Sequence, residues 1–442
     1  MSVHPKRRLA ALAVVPLALG WSSAPPAGAA PVPPADAALQ WLAGELAAND
    51  GMLTVTFGTD VFPDPGLTID AILAEGAGGH GTDPTVLQAV AAVDEATLAY
   101  VTQGSALEGD RAANATAKAL LLQEVLGTDL GTDVDLEADL RSLMAADGDE
   151  VGRFNDTDLQ GFGNYANGLG QALGVLALDR TDGGAPVEAI DFLTSQQCPD
   201  GSFRLYHFGY VTSFDPYETV EDLTCVDPAE GDVDATALAL QALLVVGSTP
   251  AIGDAIDDAV AFLTARQDDE GGFFGTGAVN ANTTGLAGQA LRAAGATAEA
   301  DAAAGFLARL QAGCGPDLGA IAYDAAAAAA GVDADRDQWI RATAQGALGL
   351  GLPAFGDIGV GAPAAAGLAP VGCVDAAPGT PAPSGTPGGP ATPTAIASSS
   401  AEGSRTLPAT GAGLVVQTAA ALALLVVGRA SIVAGRRAGA RP

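Results

Sequence analysis

The feature that most constrains this chain is a two-helix unit that recurs six times. It is fullest at residues 187–247, where VEAIDFLTSQQ is followed by a Cys-Pro-Asp-Gly break, a long loop and the segment DVDATALALQALLVVG. The first helix is apolar at Val187, Ile190, Phe192 and Leu193 and polar between them, whereas the second is apolar nearly all round. A helix that is apolar on every side must be covered on every side, so it belongs to an inner layer, and the first helix lies outside it with one face in water. A second good copy spans 258–295. There Phe-Leu-Thr precedes Gln267 as it precedes Gln196, a glycine precedes Phe273 as it precedes Phe203, and Gln-Ala-Leu closes both inner helices. Weaker copies occupy 37–76, 86–127, 136–178 and 303–351. A period of roughly 45 to 60 residues signals stacked supersecondary units that share one core.

Six units in two layers, the inner one apolar, predict an all-α fold: a closed α6/α6 toroid of about twelve helices over residues 31–375. The elements FLTSQQ with DGSF, FLTARQ with GGFF, and DVDATALALQAL resemble the repeats of squalene cyclases and prenyltransferase β-subunits, shared with cobalamin carriers of the intrinsic-factor type. The resemblance covers about residues 36–352. It implies the fold and leaves the activity open, because cyclases, prenyltransferases and binding proteins all use it.

Both ends read as processing and anchoring segments. Residues 1–30 carry Lys6, Arg7 and Arg8, an apolar run and the small-residue site Ala27-Gly28-Ala29, the pattern of an export signal. Residues 376–406 are rich in Pro, Thr, Ser and Gly and predict an extended, disordered stalk. Leu407, Pro408, Ala409, Thr410 and Gly411 follow, then an apolar stretch and Arg429, Arg436, Arg437 and Arg441. This order resembles the sorting signal of Gram-positive surface proteins. It implies a transmembrane helix within 412–434, attack by a sortase thiol on the Thr410 carbonyl, and a covalent link from Thr410 to peptidoglycan at the cell surface.

Of 19 Lys and Arg, three lie in the leader and four in the tail, so 12 face 52 Asp and Glu in the exported part, a net charge of −40. Nucleic acid is excluded as a partner by that sign. The four cysteines, Cys198, Cys225, Cys314 and Cys373, suit an oxidising compartment and allow three pairings. Cys198 with Cys225 would bracket the loop of the fourth unit, and Cys314 with Cys373 would tie the last ordered residues to the sixth. Such loops stabilise by roughly 3.5 and 4 kcal/mol in the chain-entropy model. Zinc or a catalytic thiol would need partnering histidines, and the exported part holds His80 and His207 alone. No metal or other cofactor is expected.

Asp232-Val233-Asp234-Ala235-Thr236 is similar to the Asp-x-Asp-Asp motif of class II terpene cyclases, which implies Asp234 as the protonating acid. Ala235 stands where the motif has its last carboxylate, which puts the raised acidity of Asp234 in question. Asn114, Asn164 and Asn282 are read at the equivalent place in other units, so Asp234, like them, is expected to cap an inner helix. The magnesium-binding aspartates of class I cyclases are absent. The exported part holds two tryptophans, Trp41 and Trp339, a poor supply for carbocation chemistry. Aromatics gather instead in the fourth loop, where Phe203, Tyr206, Phe208, Tyr210, Phe214 and Tyr217 are the expected ligand contacts and SFRLYHFGYV alternates like a short hairpin. Asp333-Ala334-Asp335-Arg336-Asp337 lacks the glycine and distal glutamate of a calcium loop and reads as a turn before the last inner helix.

The expectation is a wall-anchored surface protein whose toroid binds a small-molecule or surface ligand, or serves structurally, without catalysis. A cyclase using Asp234, and a corrinoid-type capture protein, are the alternatives.

Overall fold

The computed structural model describes residues 31–105, 109–157, 164–206, 224–247, 249–359 and 368–372. The leader, the aromatics Phe208, Tyr210, Phe214 and Tyr217, Cys373, the stalk, the 407–411 motif and the expected membrane segment lie outside these residues. Among the described residues no helix is long and apolar enough to cross a membrane.

The described chain is predominantly helical, and each of the six expected units supplies one outer and one inner helix. The outer helices are α1 (Pro34–Ala48), α3 (Pro84–Val101), α5 (Leu136–Ser142), α7 (Val187–Ser195), α9 (Pro250–Arg266) and α11 (Thr297–Leu310). The inner ones are α2 (Pro65–Ala77), α4 (Ala113–Leu126), α6 (Gly168–Asp179), α8 (Val233–Val245), α10 (Ala281–Ala293) and α13 (Arg336–Gly346). A short α12 (Ala325–Ala330) and two strand pairs complete the set: β1 (Thr54–Phe57) with β2 (Asp60–Pro63), and β3 (Phe203–Arg204) with β4 (Gly231–Asp232). Phe203 and Arg204, at the start of the hairpin expected within SFRLYHFGYV, pair with the segment that enters α8, and the second half of that stretch lies outside the described residues. The β1–β2 hairpin has no counterpart among the sequence expectations.

Inner helices pack in chain order, α2 on α4, then α6, α8, α10 and α13, and α13 packs back on α2. The outer layer is joined by one recurring device. Gln197, Gln267 and Gln311 each donate from Nε2 to two carbonyls: Gly201 and Ala255 (3.1 and 2.9 Å), Gly271 and Glu299 (3.0 and 2.8 Å), and Gly319 and Pro34 (3.0 and 2.8 Å). Three residues beyond each acceptor on the next helix, the backbone of Asp258, Ala302 or Ala37 lies against that same glycine. The third instance joins the last outer helix to the first in the register of the other two. Sequence spacing matches Gln196 with Gln267, and the structure corrects this by one residue. Gln197 holds the joint, while Gln196 is buried and accepts from Arg204 Nε at 2.8 Å. In the third unit Gln171, from inner helix α6, donates to Gly152 and Ala189 carbonyls in the same role.

The seam carries further polar ties. Arg336 on α13 pairs with Glu45 on α1 and with Asp317, Trp41 Nε1 donates to Asp317 at 3.2 Å, and Thr56 N–H donates to Asp337. Cys198 and Cys225 form a disulfide, as expected. Cys314 is also disulfide-bonded, and its expected partner Cys373 lies outside the described residues.

Candidate functional site

Buried threonines set the rotation of the inner helices. Thr68, Thr236, Thr284 and Thr343 accept at 2.8–3.0 Å from the backbone N–H of Leu53, Phe203, Phe273 and Ile321 in the loops entering those helices. Gln171 accepts in the same way from Phe154. These side chains face the outer layer. Residues two places before and after lie about 200° round the helix and so face away from the outer layer, toward the common axis of the inner helices. The first axial tier is Gly66, Asn114, Leu169, Asp234, Asn282 and Arg341, and the second is Asp70, Lys118, Leu173, Leu238, Leu286 and Gln345.

Burial agrees with this assignment. Over 113–122 of α4, Asn114 and Lys118 alone are not buried; over 281–291 of α10, Asn282 and Leu286; over 168–178 of α6, Leu169 and Leu173. On α8 the axial residues Asp234 and Leu238 are themselves buried, so solvent reaches the second tier beside the other five helices. The third tier, Leu73, Leu121, Leu176, Gln241, Gln289 and Leu348, is buried throughout. Beneath it the segment 353–358 closes the other end. Gln289 donates to Pro353 O at 2.6 Å, Phe355 N–H to Gln241, and Arg180 to the carbonyls of Phe355, Gly356 and Ile358. Among the described residues the result is a blind chamber that opens at the N-terminal ends of the inner helices.

Its two halves differ. On the α13–α2–α4 side, Lys118 Nζ lies 2.5 Å from Asp70 Oδ1, Gln345 donates to Asp70 Oδ2 at 3.1 Å, and Arg341 pairs with Asp64 at 2.8 Å. Lys118 and Asp70 keep 19% and 15% of their side-chain exposure. Burial first, then Asp70 and Asp64, push the Tyr100 hydroxyl above its usual range. On the α6–α8–α10 side, leucines at 169, 173, 238 and 286 form the wall. None of the twelve tier positions is itself aromatic, and the Tyr100 ring fills the space beside Gly66, 3.5 Å from where a Cβ there would lie.

Asp234 lies at the top of the apolar half. It is not the cap of α8: Asp232 is, accepting from Ala235 N–H at 2.8 Å. Asn280 caps α10 and Asn167 caps α6, so Asn164, in the loop before α6, is not equivalent to Asp234, whereas Asn114 and Asn282 are. Burial, and secondly the neighbouring Asp232, push the Asp234 carboxyl up to about 7, against a hydrogen bond from Thr283. The absence of a carboxylate at Ala235 thus does not keep Asp234 an ordinary acid. Its Oδ1, like that of Asn282, is buried with no hydrogen-bond partner among the described residues.

The aromatic loop is reassigned in part. Phe203 is 1% exposed and wedges between the layers, the place of Phe273, Ile321 and Leu53 in other units, so it is core and not a ligand contact. Tyr206 is half-buried against the core. Arg204 is fully buried and pairs with Glu230. Asp335 caps α13, accepting from Gln338 N–H, which accounts for one carboxylate of the acidic turn. Among the described residues no cluster of metal-binding side chains occurs.

No family model matches the chain, and no curated protein matches it. Among solved structures it is similar to ent-copalyl diphosphate synthase from Streptomyces platensis, at 19% identity over 63% of this chain and 50% of that one, with a TM-score of 0.38. The chain thus spans half the length of that enzyme, and an overlap this loose says nothing about activity.

Proposed function

We propose that the chain is an exported, wall-anchored protein that displays an α6/α6 toroid as a non-catalytic binding module, with the ligand entering at the N-terminal ends of the inner helices. The observation that carries the reading is the lining of the chamber. An Asp70–Lys118 pair with Gln345 on one wall, and axial positions among the described residues of which none is aromatic, is a hostile interior for a carbocation, which needs π faces and an apolar cage. The return of α13 onto α2 and the repeated glutamine joint at the seam support a closed ring. The disulfide supports export, and the leader, the stalk and the 407–411 motif with its apolar and basic sequel support covalent display on peptidoglycan. Thr410→Ala is expected to leave the protein in the membrane fraction and out of the wall digest. Unchanged release by wall hydrolases would refute the anchoring.

One observation favours a second reading. Asp234 is a buried acid with a raised pKa and an oxygen unpaired among the described residues, the state a proton donor to an alkene would need. Under this reading the toroid is a cyclase, and Asp234→Asn abolishes product.

A further inference from the structure

The chamber pairs opposite charges with an aliphatic wall, and that combination narrows the ligand. Between the first and second tiers it is roughly 6 Å deep, four residues at 1.5 Å each. Asp70 accepts a hydrogen bond from Gln345 at Oδ2 and is ion-paired with Lys118 at Oδ1, which leaves each carboxylate oxygen with a lone pair to spare. Lys118 is paired with Asp70 alone among the described residues, and its ammonium carries three donors. The two groups are partly exposed, lie on adjacent helices at the same depth, and cancel in charge. Arg341 and Asp64 cancel likewise. A lone anion or cation would therefore meet an equal and opposite neighbour, whereas a molecule bearing both charges can extend the pair into a cycle of alternating sign. Across the chamber Leu169, Leu173 and Leu286 keep exposed surface that an aliphatic group would cover.

Resting on the binding-module reading, we propose that the chamber takes a small zwitterion with an aliphatic body, a free aliphatic amino acid, its ammonium on Asp70, its carboxylate on Lys118, and its side chain against the leucines of α6 and α10. A purely structural ion pair between α2 and α4 would hold the ring without selecting any solute.

The test is isothermal titration of the full chain with L-leucine, 4-methylpentanoate and 3-methylbutylamine, which share one aliphatic skeleton and differ in charge. Saturable binding of L-leucine is expected, with either single-charge analogue at least about tenfold weaker, a difference of about 1.4 kcal/mol. Lys118→Met is expected to weaken L-leucine by at least about tenfold. Leu173→Phe, which fills the chamber and leaves the ion pair intact, is expected to do the same with an unchanged helical circular dichroism spectrum. An analogue that binds as tightly as L-leucine, or wild-type protein that shows no saturable heat, overturns the proposal. A chain that turns over a prenyl substrate instead overturns the reading on which it rests, so the two failures are distinct.

Discussion

Gly319→Ala is expected to destabilise the protein by about 4 kcal/mol or more, enough to threaten folding of a marginally stable domain. Gly319 has φ +93°, and a Cβ there would lie 2.1 Å from the carbonyl oxygen of Ala37 and 2.3 Å from its carbon. The obstacle is backbone of α1, itself clamped by Gln311 on Pro34, so it cannot rotate aside as a side chain would. Gly295→Ala is the control. It too has positive φ, +84°, but an added Cβ there meets nothing within 4 Å, so the cost reduces to conformational strain of about 1–2 kcal/mol. Urea unfolding midpoints of the two variants separate the terms. Equal losses would mean that the last unit does not press on the first and that the ring is open at its seam.

Asp234→Asn is expected to stabilise the protein at pH 8 by about 2 kcal/mol or more and to change little near pH 4. Burial holds the folded-state pKa at about 7, above the ordinary aspartate value. As pH rises between those values, the unfolded chain releases a proton that the folded chain keeps. The stability of the native state accordingly falls through that window, and the full cost is present above pH 7. Asparagine keeps the shape, cannot ionise beside Asp232, and removes the cost. Thermal midpoints of wild type and variant across pH 4 to 8 check this. Parallel curves would place Asp234 in water, and a loss confined to cap strength would restore it to the role now held by Asp232.

The two-layer helical order was legible because the repeat is written in burial: DVDATALALQALLVVG, apolar nearly all round, needs cover on every side, and the half-polar VEAIDFLTSQQ on one. What the sequence concealed was register. Gln196 and Gln197 are chemically identical neighbours, and only the loop bridging Gln197 to Phe203 shows which of them holds the next helix. Asp232 and Asp234 pose the same ambiguity at a helix start, resolved by which carboxylate meets the Ala235 N–H. The chamber residues Asp70, Lys118, Arg341 and Gln345 were missed entirely, since they come from three helices of three different units, and no local motif groups them. A signal did exist: each stands two places from the buried threonine that recurs in five of the inner helices, at Thr68, Thr116, Thr236, Thr284 and Thr343, and that spacing assigns its face. Leu169 and Leu173 escape even this rule, because Gln171 replaces the threonine on α6 and takes on the glutamine joint as well. Phe203 misled for the opposite reason, its neighbours being aromatic while its own role is that of a core wedge.

The central claim is that the ring binds without catalysing, and it meets its most direct measurement in a turnover assay. Purified full chain is incubated with squalene and, separately, with geranylgeranyl diphosphate, and the extracts are analysed by gas chromatography with mass spectrometry. The lining of the chamber predicts unchanged substrate in both, for wild type and for Asp234→Asn alike. A cyclised product formed by wild type and lost in Asp234→Asn would contradict the account and establish the buried carboxyl as a catalytic acid.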